Sequence, residues 1–102
     1  MAYQNVTPPA GGKITISSGQ LNVPDQPIIP FIRGDGTGPD IWAASQRVFN
    51  AAIEKAYGGR RRMAWFEVFA GEAAKNKFDN WLPDDTVQAF KEYLVGLSLI
   101  HI

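Results

Sequence analysis

The stretch "IIPFIRGDGTGPDI", residues 28–41, decides how the rest of the chain is read. It opens as an apolar run and passes through a turn with Gly34, Gly36 and Gly38 set around Asp35 and Thr37. It ends on the first residues of a helix. Apolar residues on both faces of so short a run predict a strand buried on two sides, as in a sheet covered by helices. Pro30 requires that its missing N–H face away from a neighbouring strand, or that the ladder start after it. A glycine-rich strand-to-helix turn of this kind is a phosphate cradle, a dinucleotide fingerprint or a tight corner.

The phosphate cradle G-x-x-x-x-G-K-[ST] needs a lysine to reach the phosphates, and nothing after Gly38 supplies one. The dinucleotide fingerprint G-x-G-x-x-G is matched by Gly34 and Gly36, but Pro39 stands where the third glycine belongs. The ribose-binding acid expected about twenty residues on has no good candidate either, since Glu54 falls inside the helix. A plain corner explains the turn, with glycines at positive φ and with Pro39 and Asp40 starting the helix. A ligand-facing reading stays open beside it, because open α/β sheets collect ligands at the carboxyl ends of their strands.

Outward from the turn, Asp40 to Tyr57 carries Ile41, Ala44, Val48 and Ala52 on one helical stripe, with Phe49, Ile53 and Ala56 beside it. Gly58-Gly59 stops that helix. "MAWFEVFA" (63–70) has a strand's length, and Ala64, Phe66, Val68 and Ala70 make one apolar face. "GEAAKNKFDNW" reads as a polar connection. Pro83 suits a first helical position, with Asp84 and Asp85 favouring the positive end of the helix. Val87, Phe90 and Leu94 continue it at spacings of three and four, and "YLVGL" turns into a last strand. Upstream, "KITISSGQLNV" alternates on both sides of Ser17-Ser18-Gly19-Gln20 and predicts a hairpin. Hairpin, strand, helix, strand, helix, strand is the order of an α/β fold with a largely parallel central sheet.

The composition adds exclusions. At 102 residues there is room for one small domain, and 45% apolar with 20% charged residues is ordinary for a globular chain. Ten basic and ten acidic residues cancel, so no overall field favours nucleic acid or an anionic membrane. Arg60-Arg61-Arg62 reads as a solvated loop after a helix. There is no cysteine, which excludes disulfides and thiolate metal sites and suits a reducing cytoplasm. The N-terminus lacks the layout of a signal peptide, and no apolar run approaches bilayer-spanning length. His101 is the only histidine, and one imidazole without a positioned partner makes no site. Asp84 and Asp85 read as dipole partners, and Asp35 as a backbone cap before a catalytic group. Trp42, Trp65 and Trp81 read as core or subunit-contact residues.

"GDGTGPDI" after "PIIPFIR" resembles the first strand-turn-helix of the β-decarboxylating dehydrogenases, the isocitrate/isopropylmalate dehydrogenase family. "GGKITISSGQLNVPDQPIIPFIRGDG", "AAIEKAYGG", "WFEVFAGE" and "NWLPDDTVQAFKEYLVGL" are similar to its bacterial-type NADP-dependent isocitrate dehydrogenase branch. The isopropylmalate branch begins its strand almost at the N-terminus, without the hairpin extension. The resemblance runs from about Gly12 to Leu97. It implies the N-terminal part of that family's fold, which is not a Rossmann fold, with an incomplete sheet and an N-terminal hairpin. The implied divisions are an arm over 1–12, part of the large α/β domain over 13–97 and an anomalous tail over 98–102.

The activity implied is oxidative decarboxylation of isocitrate to 2-oxoglutarate with reduction of NADP, in the tricarboxylic acid cycle and beside the glyoxylate bypass. A magnesium or manganese ion would hold the substrate as a Lewis acid in a cytoplasmic homodimer. Carried over residue by residue, Gly34, Asp35, Gly36, Thr37 and Gly38 line the cleft near the nicotinamide end of NADP. Thr37 stands where the family usually has isoleucine. No catalytic or metal-binding residue is assigned within the chain. After "EYLVGL" the family continues lysine-glycine-proline-leucine-threonine-threonine, whereas this chain has Ser98-Leu99-Ile100-His101-Ile102. An interrupted reading frame and a chain inactive by itself are therefore expected. The alternatives are an isopropylmalate- or tartrate-type fragment, or a non-catalytic nucleotide-binding domain.

Overall fold

The apolar run becomes β3 (Ile28–Ile32), the central strand of a three-stranded parallel sheet in the computed structural model, which describes residues 3–99. It lies between β4 (Ala64–Glu67) and β5 (Leu97–Ser98), and all five of its residues are buried. The Ile28 N–H donates to the Gly12 carbonyl at 2.9 Å, and the Ile32 carbonyl accepts from the Leu99 N–H at 3.0 Å. Even-numbered residues of β3 therefore turn their backbone polar groups away from β4. Pro30 lies between those two, and β5 pairs only from Phe31 onward. Its missing N–H falls in a gap between partners, which is where a proline is tolerated in a sheet.

Alternation along the strands builds two apolar layers. On one face, Phe31 and Trp65 meet Trp42 of α1 (Gly38–Tyr57), the indole stacking on Phe31 at 4.1 Å and meeting Trp65 edge-on at 4.9 Å. On the other, Ile28, Ile32, Ala64, Phe66 and Val68 pack with Ala89 and Tyr93 of α3 (Asp84–Tyr93). Ala64, Phe66, Val68 and Ala70 are all buried, as the sequence predicts. Gly58 ends α1 in the left-handed region at φ 59°. Arg60 then donates through Nε to the Tyr57 carbonyl, and Arg61 pairs with Asp25 at 3.3 Å.

Three expectations need correction. The stripe Ile41, Ala44, Val48, Ala52 faces outward, with Ile41 49% and Val48 65% exposed. The helix is rolled so that Trp42 meets the sheet, because burying an indole removes more apolar area than burying those smaller side chains. Along α3 and its C-cap Leu94, Val87 and Leu94 are exposed and Phe90 half-buried, while Asp85, Thr86, Ala89 and Tyr93 face the core. Both buried polar groups are satisfied by backbone. The Thr86 hydroxyl donates to the Phe69 carbonyl at 2.5 Å and accepts from the Phe69 N–H at 3.2 Å. The Asp85 carboxylate accepts the N–H groups of Gln4 and Asn5, so Asp85 is more than a dipole partner. Finally, the polar connection after β4 contains a helix, α2 (Glu72–Phe78).

The N-terminal arm is docked. Tyr3 lays its ring edge-on to Phe66 at 5.4 Å and donates to Glu92 at 2.7 Å, and Lys13 pairs with the same carboxylate at 2.6 Å. The hairpin forms as a separate sheet of β1 (Thr15–Ser17) and β2 (Gln20–Asn22). Ser18 and Gly19 at φ 52° and 75° have the left-handed pair of a type I′ turn. Trp42 is buried, Trp65 half-buried and Trp81 exposed. Ile100, His101 and Ile102 lie outside the described residues, so the tail is seen only through Ser98 and Leu99.

Candidate functional site

The glycine turn leaves the carboxyl end of β3, where ligands bind in open α/β sheets. Its three glycines do different things. Gly34 and Gly36 hold φ at 80° and 60°, the region that disfavours any side chain. Gly38 has an ordinary φ, but a Cβ there would lie 2.1 Å from the Arg33 carbonyl oxygen. The first two let the chain reverse, and the third lets the helix start against the strand it has just left. Pro39 occupies the first turn of α1, and Thr37 precedes the helix without a side-chain cap.

Asp35, Gly36 and Thr37 are exposed, while Gly34 and Gly38 are buried. The Asp35 carboxylate reaches across to the next strand-to-helix connection. Its Oδ2 accepts the Glu72 N–H at 2.9 Å and its Oδ1 the Ala73 N–H at 3.2 Å, so it caps the start of α2. Beside it, Arg33 Nε donates to Glu67 Oε2 at 2.6 Å across the ends of β3 and β4. A cavity of about 70 Å³ lies between Arg33, Gly34 and Pro39 on one side and Glu67, Phe69 and Ala73 on the other. Ligand pockets run to roughly 300–1,000 Å³, so this cavity is too small to hold a cofactor-sized ligand by itself.

Sequence reasoning placed the turn and a capping role for Asp35, but missed the partner, since Glu72 lies 37 positions on. It also missed Arg33, Glu67 and α2. The usable signal was Gly71-Glu72 after an alternating strand, a second strand-to-helix turn in which Gly71 takes φ 83°. Among the described residues no three His, Cys, Asp or Glu side chains come together to hold a metal ion, so these residues do not fit a divalent cation by themselves. Among the same residues, no helix is long and apolar enough to cross a membrane.

Residues 28–99 match the family model described as isocitrate/isopropylmalate dehydrogenase. The chain belongs to the isocitrate/isopropylmalate dehydrogenase family. It is similar to isocitrate dehydrogenase [NADP] of Nostoc sp., 51% identical over 94% of this chain and 21% of the relative. The Staphylococcus epidermidis protein of the same name is 55% identical over 84% of this chain and 20% of its own length. That of Coxiella burnetii is 49% identical over 96% and 24%. The chain thus spans about a fifth to a quarter of the length of these family members, and nearly all of it is matched.

Proposed function

We propose that this chain is the N-terminal segment of an NADP-dependent isocitrate dehydrogenase, which oxidises and decarboxylates isocitrate to 2-oxoglutarate while reducing NADP. The observation that carries this reading is identity of about one half to three relatives of that name, over 84–96% of the chain. The working form is a cytoplasmic homodimer with a magnesium or manganese ion. Within it, residues 13–97 form part of the large α/β domain, 1–12 are the arm, and 98–102 are a tail. Gly34, Asp35, Gly36, Thr37 and Gly38 line the cleft near the nicotinamide end of the cofactor. Bare glycine backbone allows close approach of a flat ring, and the carboxyl end of β3 is the expected place for it.

The metal's ligands come from elsewhere in such an enzyme, as the described residues bring no three His, Cys, Asp or Glu side chains together. A wall around a 70 Å³ cavity also cannot enclose a dinucleotide. The 102-residue chain is therefore expected to give no isocitrate-dependent NADPH. A chimaera of the Nostoc protein tests the positive claim. Residues 1–97 of this chain would replace its corresponding segment, and NADPH formation from isocitrate would be followed at 340 nm with magnesium. Turnover within tenfold of the parent supports the reading. A folded chimaera without turnover overturns it, and turnover by the isolated chain overturns the expectation that the chain is inactive by itself.

A further inference from the structure

Two strand-to-helix connections at the carboxyl edge of the sheet are joined by side-chain contacts. Arg33 meets Glu67 at 2.6 Å, and both oxygens of Asp35 are taken by the first N–H groups of α2. Asp35 stands between two residues at positive φ, Gly34 and Gly36. Glycine has more backbone freedom to lose than any other residue, so a turn built this way needs an outside constraint to keep one shape. Beyond its chain neighbours, no described atom lies within 4 Å of where a Cβ would sit on Gly36, so packing does not supply that constraint at this position. The carboxylate of Asp35 does supply it.

We propose that Asp35 is a positioning residue: it fixes the glycine turn against α2 and so pre-organises the wall that receives the dinucleotide, without touching the dinucleotide itself. This rests on the dehydrogenase reading above. A carboxylate accepting two N–H groups at a helix start is held by charge-assisted bonds and by the helix dipole. The ordering of the turn is then complete before the cofactor arrives, which is the general benefit of pre-organisation. Its removal falls on cofactor affinity more than on the chemical step. The ties do not end at α2. The connection preceding it is gripped at Phe69 by Thr86 of α3, whose neighbour Asp85 holds the arm. The turn is thereby referred to the other face of the sheet.

The test uses the Nostoc chimaera, with Asp35→Ala and Asp35→Asn, read by steady-state kinetics and by amide hydrogen exchange at Glu72 and Ala73. Expected for Asp35→Ala are a KM for NADP raised about tenfold, a KM for isocitrate and a kcat changed less than threefold, and exchange at both amides at least tenfold faster. Asp35→Asn keeps one acceptor oxygen and should restore part of the affinity and of the protection. An NADP KM within twofold of the unsubstituted chimaera overturns the proposal. So does a raised KM with unchanged exchange at Glu72 and Ala73, which would mark direct contact with the cofactor. If Asp35→Ala fails to fold, Asp35→Asn decides by the same two criteria. A folded but inactive unsubstituted chimaera, by contrast, defeats the dehydrogenase reading and leaves the exchange measurement to judge the clamp.

Discussion

Asp85 sits in the first turn of α3, and its Oδ2 lies 2.7 Å from the backbone nitrogen of Asn5, 80 positions earlier. The same carboxylate accepts the Gln4 N–H with both oxygens, at 3.1 and 3.0 Å. The residue is 5% exposed, and among the described residues the groups that meet its carboxylate are the arm's own amides, which compensate its burial. Asp85→Ala should therefore release the arm and lower stability by about 2 kcal/mol, the range for a hydrogen bond to a charged group. Asp85→Asn, which keeps an acceptor, should lose roughly half as much. Urea melts of the two variants, with limited proteolysis of the arm, check this. An arm cut no faster in Asp85→Ala than in the parent contradicts the docking.

The same arm should loosen at both ends of the pH scale. Lys13 and the Tyr3 hydroxyl hold the Glu92 carboxyl below its ordinary 4.5. A depressed carboxyl gives stability that is present above pH 4.5 and lost as pH falls through the folded value. Burial and then the Glu92 hydrogen bond push the Tyr3 hydroxyl well above its ordinary 10.0. A raised phenol gives stability present below pH 10 and lost as pH climbs toward the folded value, because the unfolded chain ionises first. Melting temperature should accordingly fall below pH 4.5 and above pH 10. Glu92→Gln should flatten the acid limb, and Tyr3→Phe the alkaline one.

The glycines of the turn should fail for different reasons. Gly36→Ala meets open space but must hold φ at 60°, and should cost about 1 kcal/mol. Gly38→Ala needs no unusual φ, yet its Cβ would lie 2.1 Å from a backbone oxygen, so strand and helix must part. Overpacking of this kind costs roughly 1–3 kcal/mol, and here the upper end applies. Chemical denaturation of both variants ranks them. Equal losses would show that the close approach of Gly38 to Arg33 is relieved cheaply.

Trp42 is held by stacking on Phe31 rather than by the outward stripe of its helix. Phe31→Ala should destabilise by about 3–5 kcal/mol, as for other buried aromatics. Val48→Ala, on a side chain 65% exposed, should stay within about 0.5 kcal/mol. Trp fluorescence should shift to the red in the first variant only. A large effect at Val48 would restore the stripe to the core.

Much of the fold was legible because strand alternation reports burial directly. Ala64, Phe66, Val68 and Ala70 are the inner face in both sequence and structure. Helices α1 and α3 were legible in extent but not in orientation, and α2 was read as a polar connection. Periodicity finds an apolar stripe, whereas the face that packs is chosen by what lies opposite, here the Phe31 ring for Trp42. In α3 the buried face carries Asp85 and Thr86, whose partners Asn5 and Phe69 are 80 and 17 positions away, beyond the reach of any local pattern. The turn at Gly34–Gly38 was visible for the same local reasons as the strands. Its attachment to Glu72 was not, because a carboxylate in a loop gives no hint of which amide it will meet.

The docked arm has a consequence for the order in which the molecule can be completed. Residues 3–5 are synthesised well before their partners, Asp85 in the first turn of α3 and Glu92 in its last. At roughly 5–20 residues per second, the 80 positions between Asn5 and Asp85 correspond to a wait of about 4–16 seconds. The arm thus stays unfastened while β3 and β4 are made, and until α3 follows, the inner face of Phe66 lacks the Tyr3 ring that packs on it.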